Sequence, residues 1–182
     1  MTAGNTLLNP HSILNGLEIE PGMHVAEFGP SRTGHVILPL ANAVTAEGRV
    51  YAVDLVPAVL SMVGARANLH GHSNVCIVRG DFERCGGVDI PESSLDYAFS
   101  VNNLWCLQRP KEMIKEFQRL LKPTGRVVLV DWEQTSDHLM APSREHRLNP
   151  ALAEALFRRH KCFMVDSIDV GNNHWALVFA FA

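Results

Sequence analysis

The sequence predicts an α/β fold: a doubly wound, mostly parallel seven-stranded sheet with an antiparallel C-terminal hairpin strand. Three observations predict it. Between residues 24 and 132, short β-rich runs alternate with helix-like stretches, the order that parallel strands joined by right-handed crossovers require. The runs are nearly continuous in apolar residues, as strands are when helices cover both faces of a sheet. Two further β-like runs close the chain with only Gly171-Asn172-Asn173 between them, the signature of a hairpin.

In chain order, the strands are HVAEF (24–28), RVYAVD (49–54), NVCIVR (74–79), LDYAFSV (95–101), RVVLVDW (126–132), CFMVDSIDV (162–170) and HWALVFAFA (174–182). The helices are GHVILPLANAV (34–44), PAVLSMVGARANLH (57–70) and PKEMIKEFQRLL (110–121), followed later by PALAEALFRRH from Pro150. In the third, Met113, Ile114, Phe117, Leu120 and Leu121 recur at spacings of three and four, with the charges placed on the opposite face. Pro110 suits its first turn, and Pro123 with Gly125 is expected to end it. Pro39 conflicts with the first helix and predicts a kink or a short helix. Asn149 is placed to cap the helix that starts at Pro150. Residues 133–149 are polar and turn-rich.

The 182 residues read as one domain, 1–182, with 133–149 as a lid segment. A net charge of -3 gives no general electrostatic reason to bind nucleic acid. No run approaches the ~20 apolar residues of a membrane span. The N-terminal stretch lacks the basic start and apolar core of a signal peptide, so a cytoplasmic location is expected. The four cysteines are widely spaced, with no C-x-x-C pair. They read as reduced thiols rather than a metal site.

Chemistry concentrates at the carboxyl ends of the first three strands, where open α/β sheets bind ligands. Residues 25–35, VAEFGPSRTGH, form a strand, a glycine-bracketed loop and a helix start. Glycine permits close backbone approach there, and the helix start offers free N–H groups. The dinucleotide pattern G-x-G-x-x-G is absent, and Glu27 would repel a pyrophosphate. That carboxylate suits a ligand with a positive group. Asp54 closes the second strand, placed to accept from two ribose hydroxyls. Asp81 follows the third strand, where it can accept from an exocyclic amine, with Phe82 available to pack on a ring. Any one of these acids could serve only as a cap or turn residue. Together they describe a nucleoside with hydroxyls, an amine and no phosphate.

This combination resembles the class I S-adenosylmethionine-dependent methyltransferases, from about Pro21 to Ala182. The marks are PGMHVAEFGPSRTGH, VYAVD, VRGDFE, LDYAFSVNNLW and EFQRLLKPTGRVVLVDW. The last is typical of the small-molecule branch that includes ubiquinone and menaquinone biosynthesis methyltransferases. The resemblance implies that Glu27, Phe28, Gly29, Pro30, Arg32 and Gly34 surround the methionine portion of S-adenosyl-L-methionine. It implies Asp54 for the ribose, Asp81 for the adenine amine, and Leu55 and Phe82 beside the adenine. Ser100 and Asn102 would run beneath the cofactor.

The loop E-F-G-P-S-R-T-G departs from the family's acid-x-G-x-G-x-G by one extra residue and by a serine near the middle glycine. Arg32 could grip the methionine carboxylate or disfavour the sulfonium. A non-catalytic or weakly binding protein on the same fold therefore stands as the alternative. On the substrate side the candidates are Asn103, Trp105, Trp132 and His174. His146 in the lid is the candidate base, and a base is needed only if the acceptor must lose a proton. No N-P-P-Y or D-P-P-Y follows the fourth strand, which points away from nucleic-acid and protein-amide acceptors and towards a small molecule. Little sequence precedes the first strand to form a cap, so an open pocket, or one completed in a homo-oligomer, is expected.

Overall fold

The computed structural model describes residues 8–182; the reading of residues 1–7 as lacking a leader lies outside them. The strands are β1 (His24–Phe28), β2 (Arg49–Asp54), β3 (Val75–Arg79), β4 (Leu95–Val101), β5 (Leu121–Trp132), β6 (Cys162–Ile168) and β7 (His174–Phe181). The helices are α1 (Pro10–Asn15), α2 (Ile37–Val44), α3 (Pro57–Leu69), α4 (Pro110–Leu120) and α5 (Pro150–Arg158). All seven strands form one sheet in the order β3-β2-β1-β4-β5-β7-β6. The first five are parallel, and β7 inserts antiparallel between β5 and β6. The strand order reverses at β1, which pairs with β2 on one side and β4 on the other. That reversal opens a crevice beyond the carboxyl ends of β1 and β4.

Two apolar layers hold the sheet. On one face Val25, Val128 and Phe99 pack with Ile37 and Leu40 of α2 and Val63 of α3. On the other, Phe28 and Leu129 pack with Phe117 of α4 and Phe157 of α5. Strand alternation therefore sends Glu27 and Phe28 to opposite faces. Glu27 goes to the α2 side.

Four local expectations change. First, α2 starts at Ile37, three residues later than the pattern suggested, so Pro39 falls in the first turn, where the missing N–H has no intrahelical partner to lose. Second, β5 begins at Leu121 with no intervening turn. Leu121 pairs with Leu95, and a register shift before Tyr97 absorbs the Lys-Pro-Thr-Gly stretch. Third, Glu116 of α4 is not on a solvated face but fully buried. It accepts from the N–H groups of Gly86 (2.6 Å) and Val88 (3.2 Å) and pairs with Arg119 through both oxygens. That partnering is what lets a carboxyl group sit inside. Fourth, α1 precedes the sheet: Asn9 Oδ1 accepts from His11 N at 3.0 Å, Pro10 takes the first position, and Ile13 is buried.

Candidate functional site

The chain leaves β1 through Gly29 at φ +71°, a conformation that disfavours any residue with a side chain. Gly29 N donates to Val53 O at 2.8 Å, and Gly80 N donates to Asp54 O at 3.1 Å. These bonds stitch the carboxyl ends of the first three strands together. Asn103, expected on the substrate side, stands directly against the turn. Its Nδ2 donates to the carbonyls of Phe28 (2.9 Å) and Gly29 (3.0 Å). A Cβ at Gly29 would come within 2.7 Å of that amide. The longer loop closes on itself: Gly34 N donates to Ser31 O at 2.9 Å, and Ser31 and Thr33 share a hydroxyl bond of 2.8 Å.

Over this turn lies a cleft of about 520 Å³. Of the residues singled out from the sequence, Glu27, Gly29, Pro30, Arg32, Asn102, Asn103 and Trp132 line it. Glu27 is 2% exposed. Burial pushes its carboxyl up to about 8, a shift held back in part by the Ile37 N–H. Its Oε2 is buried without a hydrogen-bond partner among the described residues. Beside it Asn102 sits at φ +58°, held by its N–H to Val130 O at 2.8 Å. Its Oδ1 is also buried and unpartnered among those residues. The cleft floor thus presents two buried side-chain oxygens, Glu27 Oε2 and Asn102 Oδ1, with no hydrogen-bond partner among the described residues. Arg32 is exposed at the mouth.

The nucleoside-side candidates occupy the same edge of the sheet but lie outside that cleft. Asp54 is half-buried, and its Oδ1 accepts from Val56 N at 2.7 Å. Leu55 is 51% exposed beside it. Asp81 Oδ1 accepts from Glu83 N at 3.0 Å, while Oδ2 takes Arg109 Nη2 at 2.6 Å. Phe82 packs edge-on to Phe28 at 5.7 Å, partly into the core.

The remaining candidates divide. Phe28 is buried against Phe117 at 4.7 Å, and Ser100, opposite it on β4, is fully buried; neither lines the cleft. Gly34 lines a separate depression behind the loop. Trp105 is 49% exposed and donates Nε1–H to Asn102 O at 3.0 Å. His174 pairs in register with Trp132, their rings 4.2 Å apart, so it backs the cleft wall without lining it. His146 is exposed outside the cleft, with Nδ1 2.8 Å from Ser143 Oγ. Residues 133–149 are stapled by Arg147, which donates to the carbonyls of Ser136 (2.6 Å) and Pro142 (2.7 Å).

Sequence reasoning missed Leu8, His35 and Met140, all in the cleft wall. His35 Nε2 donates to Leu8 O at 2.6 Å and so ties the segment before α1 to the loop. The Asn9-Pro10 pair carried the same cap signal as Asn149-Pro150 and could have revealed α1.

A family model described as a methyltransferase domain matches residues 26–129, more than half of the chain. The chain belongs to that family. S-adenosylmethionine is the family's cofactor, and the cleft suits its cationic end: a glycine cradle beside a buried acid and a buried amide oxygen, both without hydrogen-bond partners among the described residues. This methyltransferase-family chain is 30% identical over 147 residues to an S-adenosyl-L-methionine-dependent Diels-Alderase of Talaromyces variabilis, covering 79% of this chain and 46% of that protein. It is 28% identical over 130 residues to a protein-L-isoaspartate O-methyltransferase of Pyrococcus horikoshii, covering 70% and 54%. The chain thus spans about half the length of these curated relatives. A solved S-adenosylmethionine-dependent methyltransferase of Aquifex aeolicus shares the fold, with a TM-score of 0.89 at 19% identity over 98% of this chain and 93% of that one. Among the described residues no helix is long and apolar enough to cross a membrane.

Proposed function

We propose that this protein transfers a methyl group from S-adenosylmethionine to a small, partly apolar acceptor. The observation that carries this reading is the pair of side-chain oxygens, Glu27 Oε2 and Asn102 Oδ1, buried without hydrogen-bond partners among the described residues at the floor of the cleft. A buried acceptor without a donor is costly. A ligand that brings ammonium or sulfonium charge to these atoms favours the ionised form of Glu27 and offsets the penalty. The cofactor, when bound, supplies a methyl group already activated on a sulfonium.

The protein's own share is alignment and exclusion of water. Glu27 and Asn102 take the charged end, and Asp54 and Asp81 take the nucleoside along the open rim. Leu8, Val36, Val101, Trp132 and Met140 give the rest of the cleft an apolar wall, which suits an acceptor with a ring or short hydrocarbon body. A ubiquinone- or menaquinone-precursor type of acceptor is the narrower form of this reading. Residues 133–149 act as the lid, with Met140 reaching the cleft. No base is assigned a step: Glu27 faces the cofactor's charge, and His35 Nε2 is engaged with Leu8 O.

Calorimetry with S-adenosylhomocysteine tests this. Wild type is expected to bind well below millimolar, and Glu27→Gln more weakly. No heat at millimolar ligand in wild type sinks the proposal. A second reading, a family member with weakened cofactor affinity, draws support from Arg109, which already occupies Asp81.

A further inference from the structure

Resting on the cofactor reading above, we propose that Arg109 sets nucleobase selectivity by competing with the ligand for Asp81. In this role Arg109 is a specificity-determining residue that neither the family match nor the loop motif assigns.

The argument starts from the two oxygens of Asp81. Oδ1 accepts from Glu83 N, which fixes the turn after β3. Oδ2 is the oxygen left for a ligand amine, and it holds Arg109 Nη2 at 2.6 Å. An exocyclic amine arriving at Asp81 meets a carboxylate whose charge is already answered by a guanidinium. It must displace that group or share the oxygen with it.

Arg109 is held where it can do this. Glu83 carboxylate accepts from the backbone N–H groups of both Gln108, at 2.7 Å, and Arg109. The clamp fixes the Arg109 backbone just before α4, so its side chain reaches Asp81 from a constrained start. Arg109 is the N-cap position of α4 but makes no side-chain cap bond. Its side chain is 52% exposed against 25% for Asp81. The guanidinium is thus free to swing out, and the pair resists displacement only modestly.

A base with an amine at this position needs an acceptor, which Asp81 provides and Arg109 masks. A base with an oxo group is repelled by Asp81 and needs a donor, which Arg109 supplies. Arg109 therefore narrows the preference for adenine over a 6-oxo purine. Removing it exposes the acid and sharpens that preference.

The test compares S-adenosylhomocysteine with S-inosylhomocysteine by calorimetry on wild type, R109A and R109Q. Both variants keep the backbone clamp, and R109Q keeps the hydrocarbon stem and a neutral polar end should R109A fold poorly. Expected are a gain in S-adenosylhomocysteine affinity of about three- to fivefold in the variants and a loss for the inosine form. The ratio between the two ligands then widens by roughly tenfold. An unchanged ratio in variants whose wild type binds S-adenosylhomocysteine overturns the role of Arg109 alone. Absence of binding in all three proteins overturns the cofactor reading, and this proposal with it.

Discussion

The two halves of the ligand edge are built on opposite principles. Around Glu27 and Asn102 the protein buries side-chain oxygens and leaves them without hydrogen-bond partners among the described residues. Around Asp54 and Asp81 it leaves carboxylates partly in solvent and answers them with its own groups: Val56 N, Glu83 N and Arg109. The buried half spends folding stability in advance, and on the proposed reading a cationic ligand recovers it on binding. The open half is already answered in part by the protein and otherwise by solvent, so ligand contacts there compete with existing ones. Affinity should therefore depend more steeply on the buried half, although both halves carry acids of the same kind.

The largest effect is expected at the turn joining them. Gly29→Ala places a side chain at φ +71° and its Cβ within 2.7 Å of the Asn103 amide. The left-handed backbone alone costs about 1–2 kcal/mol, and displacing Asn103 loses its bonds to the Phe28 and Gly29 carbonyls. Binding of S-adenosylhomocysteine should vanish from calorimetry, with a lower midpoint in urea. A variant that binds normally would show that the cradle is not a cradle.

Next is Glu27→Gln, which separates stability from binding. The carboxyl titrates near 8 in the folded protein against an ordinary 4.5. Between those values the unfolded chain is ionised while the folded one holds a proton. Glu27's contribution is thus fully present below about pH 4.5 and is lost as pH rises through about 8. The glutamine variant lacks this loss, so its stability relative to wild type should improve steadily from pH 5 to pH 8. Binding moves the other way. A cation in the cleft favours the ionised acid, so wild-type affinity should rise with pH up to about 8, and the variant should show no such rise. At pH 8.5 the variant should bind roughly ten- to hundredfold more weakly, the worth of one hydrogen bond to a charged group. Parallel pH profiles for the two proteins would contradict a buried, cation-seeking Glu27.

Asp54→Ala probes the open half and should do less. The acid is half-buried, and its Oδ1 already serves Val56 N. A loss of about tenfold, the lower end for a charged acceptor, is expected. If Asp54→Ala weakened binding more than Glu27→Gln does at pH 8.5, the ranking of the two halves would be reversed.

What the sequence made legible follows the same division. Strand limits at His24–Phe28, Arg49–Asp54 and Leu95–Val101 are those the apolar runs outlined, because burial on both faces leaves an uninterrupted pattern. The three acids at neighbouring strand ends were legible too, since strand order and a period of two place them on one edge. Side-chain partners were not. Nothing local in RGDFE or QRP says that Arg109, 28 residues on, will reach Asp81. Nor does the spacing in α4 show that the loop before β4 covers Glu116 and donates to it. Asn103 was placed by its position after β4, while its role comes from the Phe28 and Gly29 carbonyls across the sheet. Pattern fixes which face a residue takes; contacts far apart in sequence decide what it does there.

The smallest effect is expected at His146, where sequence position and surroundings diverge most. The residue lies in the polar segment after β5, on the ligand edge by order alone. In the folded chain it is exposed, sits in a 3-10 turn from Arg144 to His146, and faces Ser143 Oγ at 2.8 Å. The segment is stapled by Arg147, whose guanidinium takes the carbonyls of Ser136 and Pro142. The cleft wall receives Met140 from this segment rather than His146. His146→Ala should therefore leave S-adenosylhomocysteine affinity within about twofold, as surface changes away from buried features do. Met140→Ala removes apolar wall and should weaken an acceptor more than the cofactor product. A tenfold loss of S-adenosylhomocysteine binding in His146→Ala would mean that the segment refolds over the ligand and carries the imidazole inward, which would extend the buried half of the site to the lid.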